Sequence, residues 1–231
     1  MVQATPFVQY AMATMAVVPV LVLLAVVQRS LSNRAALVGL AAVASWFGLT
    51  GWAAWSGQLH GWHQRPPALV PFLVAATVAV LLISLSRIGP RLAHNTALWA
   101  LVGLQVFRLP LELVMHHAAQ QGAMPPQMSY GGLNYDVLTG LSALVLAVLL
   151  YRRPLPRRLL AAWNLVGALL LSIIVVVAMA STPTFALFGA HRLNTWIAEF
   201  PFVWLPTVNV PLALFVHLLL WRRLREVDTK Y

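Results

Sequence analysis

Cysteine is absent from this 231-residue chain, and lysine and the acidic residues are scarce. Without cysteine, the chain has no disulfide, no thiolate ligand for a metal and no cysteine nucleophile. The only lysine is Lys230, close to the C-terminus. No lysine can therefore form a Schiff base inside an apolar segment, which excludes a retinal protein of the usual kind. Aspartate and glutamate total 5, so any carboxylate chemistry depends on very few positions.

Apolar residues, by contrast, make up 61% of the chain, and charged residues only 9%. Soluble domains are about 25% charged. Seven apolar segments are each close to the roughly 20 residues that a helix needs to cross about 30 Å of hydrocarbon. They cover residues 7–27, 35–55, 67–85, 96–118, 135–151, 159–180 and 204–221. We therefore predict an all-α, polytopic membrane protein with seven transmembrane helices, forming one domain over residues 1–231.

The basic residues predict the orientation of this bundle. Connections on one side contain nearly all of them: Arg29, Arg34, Arg87, Arg91, Arg152, Arg153, Arg157, Arg158, Arg222, Arg223, Arg225 and Lys230. Connections on the other side contain only Arg65 and Arg192. Positive loops stay in the cytoplasm, so we expect the N-terminus outside and the C-terminus inside, in a bacterial inner (plasma) membrane. The net charge of +10 then reflects topology and contact with membrane lipids, not nucleic-acid binding.

The fourth apolar segment contains four polar residues that share one helical face: Gln105, Arg108, Glu112 and His116. Their spacings are three, four and four, which places them along one stripe. An ionisable group at membrane depth costs at least roughly 2.5–3.5 kcal/mol on insertion scales, and it usually faces a partner inside the bundle. We expect Arg108 to pair with Glu112, one turn away.

Most of the candidate chemistry maps to the predicted outer half. The fourth helix runs outward, and the fifth begins at the outer surface with Asn134, Tyr135 and Asp136. Long connections in a compact domain are often functional, and the longer ones are on this side. We therefore predict an outer polar pocket lined by Arg108, Glu112, His116, Asn134 and Asp136.

Several functions fit this pocket. In the first, it binds a small or lipid-like ligand without a cofactor, Arg108 holds an anionic or polar group, and Glu112 orients Arg108. In the second, the protein is an intramembrane zinc lipid hydrolase whose metal ligands are Glu112, His116 and Asp136. In the third, it is a non-catalytic membrane subunit whose outer loops dock another protein. A purely structural ion pair between helices is a further possibility, and the oligomeric state stays open.

The last apolar segment contains Pro206 and Pro211, and Pro201 lies just before it; these prolines predict a bend and freed backbone carbonyl groups. Its His217 lies toward the predicted inner end, at the depth of Asn164 in the sixth segment. We expect a structural hydrogen bond between those two side chains.

The sequence FRLPLELVMHH, followed by PPQMSYGGLNYD, resembles a pattern in small bacterial multipass membrane proteins of uncharacterised activity. The helix count, with its histidines and acids, also resembles the seven-helix intramembrane zinc hydrolases similar to alkaline ceramidases and adiponectin receptors. Those families carry a pair of histidines on the seventh helix. This chain has only His217 there, so no residue role is transferred.

Overall fold

Eight helices form the frame of the protein in the computed structural model, which describes residues 3–225. Within these residues there is no β-strand. In a membrane, helices satisfy every backbone hydrogen bond within one segment. The helices are α1 (Pro6–Ser30), α2 (Asn33–Trp55), α3 (Val70–Leu85), α4 (Ile88–Asn95), α5 (Leu98–Gln120), α6 (Val137–Arg152), α7 (Arg157–Ala180) and α8 (Leu205–Arg225).

Five of these helices, α1, α2, α5, α7 and α8, are long and apolar enough to cross a membrane. A sixth span results if α3 and α4, which meet at a bend of 71°, are counted as one. Helix α6 is apolar but only 16 residues long. The all-α prediction is confirmed, and the candidate spans indicate a membrane protein. Each predicted apolar segment falls on a helix, whereas seven complete spans and their direction stay predictions.

The bend between α3 and α4 depends on two small residues. Ser86 leaves the helical conformation, and its Oγ accepts a hydrogen bond from the backbone N–H of Ile88 at 3.1 Å. Gly89 then lets α4 approach the end of α3, because a Cβ at this position would lie 2.1 Å from the carbonyl oxygen of Ser84. The predicted segment over residues 67–85 ends where α3 ends, but the short helix α4 that follows the bend was not predicted.

Two prolines inside helices fasten the first two helices to α8. Pro19 has no N–H for the Met15 carbonyl oxygen, and Nδ2 of Asn209 donates to that oxygen at 2.8 Å. In α8, Pro211 likewise has no N–H for the carbonyl oxygen of Thr207, one turn before it. Nε1 of Trp46 in α2 donates to this freed oxygen at 3.0 Å. Such repair by neighbouring helices is how proline is tolerated in a membrane span.

The start of α8 is therefore irregular. Its backbone forms a π-turn over Leu205–Asn209 before the regular helix begins at Val210. Such π-turns are rare and often mark functional positions. Helix α5 is also irregular, with a 3₁₀ turn over Leu104–Phe107 just before Arg108. Pro110, which cannot bond one turn back, accounts for that tightening.

The two ends of the bundle differ in charge, and contacts define each end. At the basic end, Ser30 contacts Thr96 through their hydroxyl groups, and Arg223 reaches His94. The chain reversals that carry most of the arginines gather here. At the opposite end, the imidazole of His60 contacts the carboxylate of Glu199 at 2.7 Å.

Replacing Gly140 by alanine is expected to destabilise the protein. Gly140 lies where α6 crosses α5, and a Cβ there would lie 2.3 Å from the backbone nitrogen of Leu109. Overpacking of this kind typically costs about 1–3 kcal/mol. Thermal unfolding in detergent, followed by circular dichroism, should show a lower midpoint. Gly48→Ala in α2 is the matched control, because a Cβ there meets nothing within 4 Å. Equal midpoints for both variants would contradict this close contact.

Candidate functional site

A buried ion pair joins α5 to the start of α6. Nε of Arg108 donates to Oδ2 of Asp136 at 2.8 Å, and Nη2 contacts the other carboxylate oxygen. Arg108 is 1% exposed and Asp136 is 4% exposed. Two parallel contacts of this kind are the strongest geometry for arginine and a carboxylate. The expected pairing of Arg108 with Glu112 is thus corrected, because the close crossing at Gly140 brings Asp136 to the guanidinium.

The third nitrogen of the guanidinium extends the network to two more helices. Nη1 of Arg108 lies 2.9 Å from Nε2 of His217 in α8. Arginine has no acceptor, so Nε2 must accept and Nδ1 of His217 must carry the proton. Nδ1 in turn donates to Oδ1 of Asn164 in α7 at 2.8 Å, and Nδ2 of Asn164 donates to the His217 carbonyl oxygen at 3.1 Å. The imidazole in this arrangement is neutral.

The predicted contact between His217 and Asn164 is confirmed. The contact of His217 with Arg108 was not predicted. Both residues belong to the same network as the ion pair. Gly167 makes room for the imidazole, since a Cβ there would lie 2.8 Å from Cε1 of His217. Sequence reasoning could have predicted this link from the guanidinium itself. A buried arginine has more N–H donors than one carboxylate can bond, so a further acceptor is required.

Asn134 connects Glu112 to Asp136. Its Nδ2 donates to Oε2 of Glu112 at 2.7 Å and to the backbone carbonyl oxygen of Met128 at 3.0 Å. Its Oδ1 accepts from the backbone N–H of Asp136 at 3.1 Å. The loop before α6 therefore links the carboxylate of Glu112 to the backbone of Asp136 through one amide. Glu112 and Asn134 are both buried.

These polar residues form one end of a cavity of about 570 Å³. Ligand pockets are typically 300–1,000 Å³ and mostly apolar. Four of the predicted site residues line it: Arg108, Glu112, Asn134 and Asp136. The remaining lining is mainly apolar. It comes from α3, α5, α7, the start of α8 and the loops at the end of the bundle opposite the basic end.

The cavity reaches the outer surface of the bundle between α3 and α7. Val74 in α3 and Met179 in α7 both line it, yet they are 54% and 50% exposed. A side chain that lines a cavity and is half-exposed lies at its mouth. The surrounding surface of both helices is apolar, with Val78, Ile173 and Val176 also exposed. The mouth thus opens sideways, on a surface suited to hydrocarbon.

His116 is the one predicted site residue that does not line the cavity. Its ring stacks on Tyr130 with centroids 4.1 Å apart, and its Nε2 lies 3.0 Å from Nε2 of Gln120. Among residues 3–225, no group of three or more His, Asp and Glu side chains could hold a metal ion. The set of Glu112, His116 and Asp136 is therefore not assembled for zinc in this geometry.

One protein-family model matches residues 66–225, and its description is Domain of unknown function (DUF8737). No curated protein and no solved structure matches the chain. The matched region begins before α3 and contains every residue of the ion-pair network. The likeness to zinc hydrolases gains no support from these comparisons.

Removing one member of the ion pair is expected to destabilise the protein strongly, because the remaining charged group stays buried without its partner. Arg108→Met leaves a buried carboxylate, and Asp136→Asn leaves a buried guanidinium, each at a cost of about 3–5 kcal/mol. The double variant should be less destabilised than the sum of the two, by about 0.5–3 kcal/mol. Equilibrium unfolding of the four proteins in mixed micelles measures this coupling. Strictly additive losses would show that the two side chains do not depend on each other.

Proposed function

The chain belongs to this family, DUF8737, and for it we propose a binding function: a seven-helix inner-membrane protein that holds a lipid-like ligand in the pocket of its outer half. The observation that carries the proposal is the cavity of about 570 Å³, whose lining is mainly apolar but includes the polar cluster of Arg108, Glu112, Asn134 and Asp136. An amphiphile with one apolar chain and a small head group matches this distribution.

The head group would meet Glu112 and Asn134. The charge of Arg108 is already balanced by Asp136, and its three nitrogens contact Asp136 and His217. An anionic head group would therefore place a second negative charge beside two carboxylates. A hydroxyl or amide head group, by contrast, can donate to Glu112, which keeps lone pairs beyond the bond from Asn134. From the sequence we expect an anionic or polar group at Arg108, and we accordingly propose a neutral polar one that meets Glu112 and Asn134.

The ligand would enter from the membrane, not from water. The mouth between α3 and α7 opens on apolar surface, so a lipid could move sideways into the cavity without crossing water. Arg108, Asp136 and His217 would then have a positioning role. They hold α5, α6 and α8 together and keep Glu112 at the cavity wall.

No specific observation favours the zinc hydrolase or the partner subunit over ligand binding. The proposed zinc ligands are not brought together within the described residues. The outer loops, which would dock a partner subunit, are tied to the bundle instead. Gln127 illustrates this, because its side-chain Nε2 donates to Oγ of Ser181 at 2.9 Å and to the carbonyl oxygen of Arg192 at 2.8 Å.

Monooleoylglycerol is expected to bind purified protein saturably, and a bulky residue at the mouth should block it. Val74→Trp should weaken binding at least about tenfold, which corresponds to 1.4 kcal/mol. Radiolabelled lipid in a detergent-solubilised binding assay gives the measurement. Val145→Trp in α6 is the matched control, because Val145 is 53% exposed and does not line the cavity.

Oleate, with the same chain and an anionic head, should bind more weakly than monooleoylglycerol. Glu112→Gln should reduce this preference, because the acceptor loses its charge. Absence of saturable binding in the parent, or equal binding by Val74→Trp and the parent, would refute the proposal.

The orientation within the membrane is tested separately. With the C-terminus in the cytoplasm, a green fluorescent protein fused there should fluoresce, and alkaline phosphatase at the same position should be inactive. The arginine-rich loops favour this result through the positive-inside bias. Active phosphatase at the C-terminus would reverse the assignment of the outer half.

A further inference from the structure

A second cleft lies at the basic end of the bundle and shares no lining residue with the cavity described above. Its volume is about 320 Å³, and it is formed by the last turns of α3 and α8. Leucines from both helices line its apolar part. Its polar part consists of Ser84, Arg222 and Arg225, with Trp221 beside them. No residue of this cleft belongs to the ion-pair network.

Ser84 is the first indication of a ligand. Its side chain is only 2% exposed, and within residues 3–225 its Oγ has no hydrogen-bond partner. Two other helical serines donate one turn back, Ser142 to the Leu138 carbonyl oxygen and Ser172 to that of Ala168. Leaving a buried hydroxyl unpaired costs about 1–3 kcal/mol, and a bound acceptor would remove that cost.

The two arginines are the second indication. They are three residues apart, so they lie on one face of α8. The guanidinium of Arg225 lies 4.7 Å from the centroid of the Trp221 ring, which orients it. The acids within the described residues are Glu112, Asp136 and Glu199, whose partners given above are at the other site or the opposite end. Glu226 and Asp228 lie outside the described residues.

We propose that this cleft binds the phosphate head group of an anionic phospholipid. Arg222 and Arg225 would donate to phosphate oxygens, for which guanidinium groups are well matched. Oγ of Ser84 would donate to a phosphate or ester oxygen. The leucines of α3 and α8, among them the exposed Leu85, would contact an acyl chain. Basic pockets between helices on the cytoplasmic side commonly hold such head groups.

The bend between α3 and α4 makes this cleft possible. It ends α3 beside Ser84 and turns the chain back against α8, so the wall above the leucines is open. Tryptophan at this level is typical of a membrane interface, where head groups lie. The site is therefore at the depth where a phosphate group would be found.

Native mass spectrometry of the full-length protein tests the proposal with two lipids of identical acyl chains, phosphatidylglycerol and phosphatidylcholine. The parent should prefer phosphatidylglycerol by about tenfold. Arg222→Ala/Arg225→Ala should abolish the preference, and Ser84→Ala should reduce it several-fold. Arg152→Ala/Arg153→Ala is the matched control, because these arginines are exposed at the same basic end and do not line the cleft.

Three results would overturn the assignment. The first is equal binding of the two lipids by the parent. The second is an equal loss of preference in the control variant, which would indicate diffuse attraction to the basic surface. The third is displacement of phosphatidylglycerol by an equal concentration of inorganic phosphate, which would assign the cleft to a soluble phosphate compound. Each result is independent of monooleoylglycerol binding in the other cavity.

Discussion

A guanidinium enclosed by apolar helices needs its charge balanced and its N–H groups bonded, and the arrangement of this bundle depends on how that need is met. Arg108 obtains a carboxylate from the start of α6 and an imidazole from α8, and the imidazole obtains an amide from α7. One side chain of α5 thus determines the spacing of three other helices. A buried ion pair is weak evidence for stability, but a broken one is very costly, so such a network specifies one arrangement of the helices.

The polar end of the cavity follows from the same requirement. Asn134 uses both sides of its amide, one on Glu112 and the other on the backbone of Asp136, so the two acids are fixed relative to each other before any ligand arrives. Fixed hydrogen-bonding groups lower the entropic cost of binding. Under the proposed function, the long apolar wall would provide affinity with little specificity, and the few polar atoms would provide the discrimination.

The sequence was sufficient for the helical class, for the apolar segments and for four of the five residues expected at the pocket. Periodicity reports which residues share a face of one helix, and that is why Arg108 and Glu112 were matched with each other. It does not report how closely two helices cross. The crossing at Gly140, which selects Asp136 as the partner, depends on a missing side chain in another helix. The link from Arg108 to His217 was not predicted for a related reason, since the two residues are 109 positions apart and periodicity does not relate separate helices.

The bonds that repair the two prolines have a consequence for how this protein tolerates change. Asn209 lines the cavity and is anchored to the backbone of α1, and the adjacent turn of α8 is anchored to Trp46 of α2. Helices α1 and α2 lie before the region matched by the family model, yet these two hydrogen bonds make them support the cavity wall. Substitutions in this N-terminal pair can therefore change the shape of the cavity without lining it, so under the proposed function they would alter ligand selectivity while the polar residues stay the same.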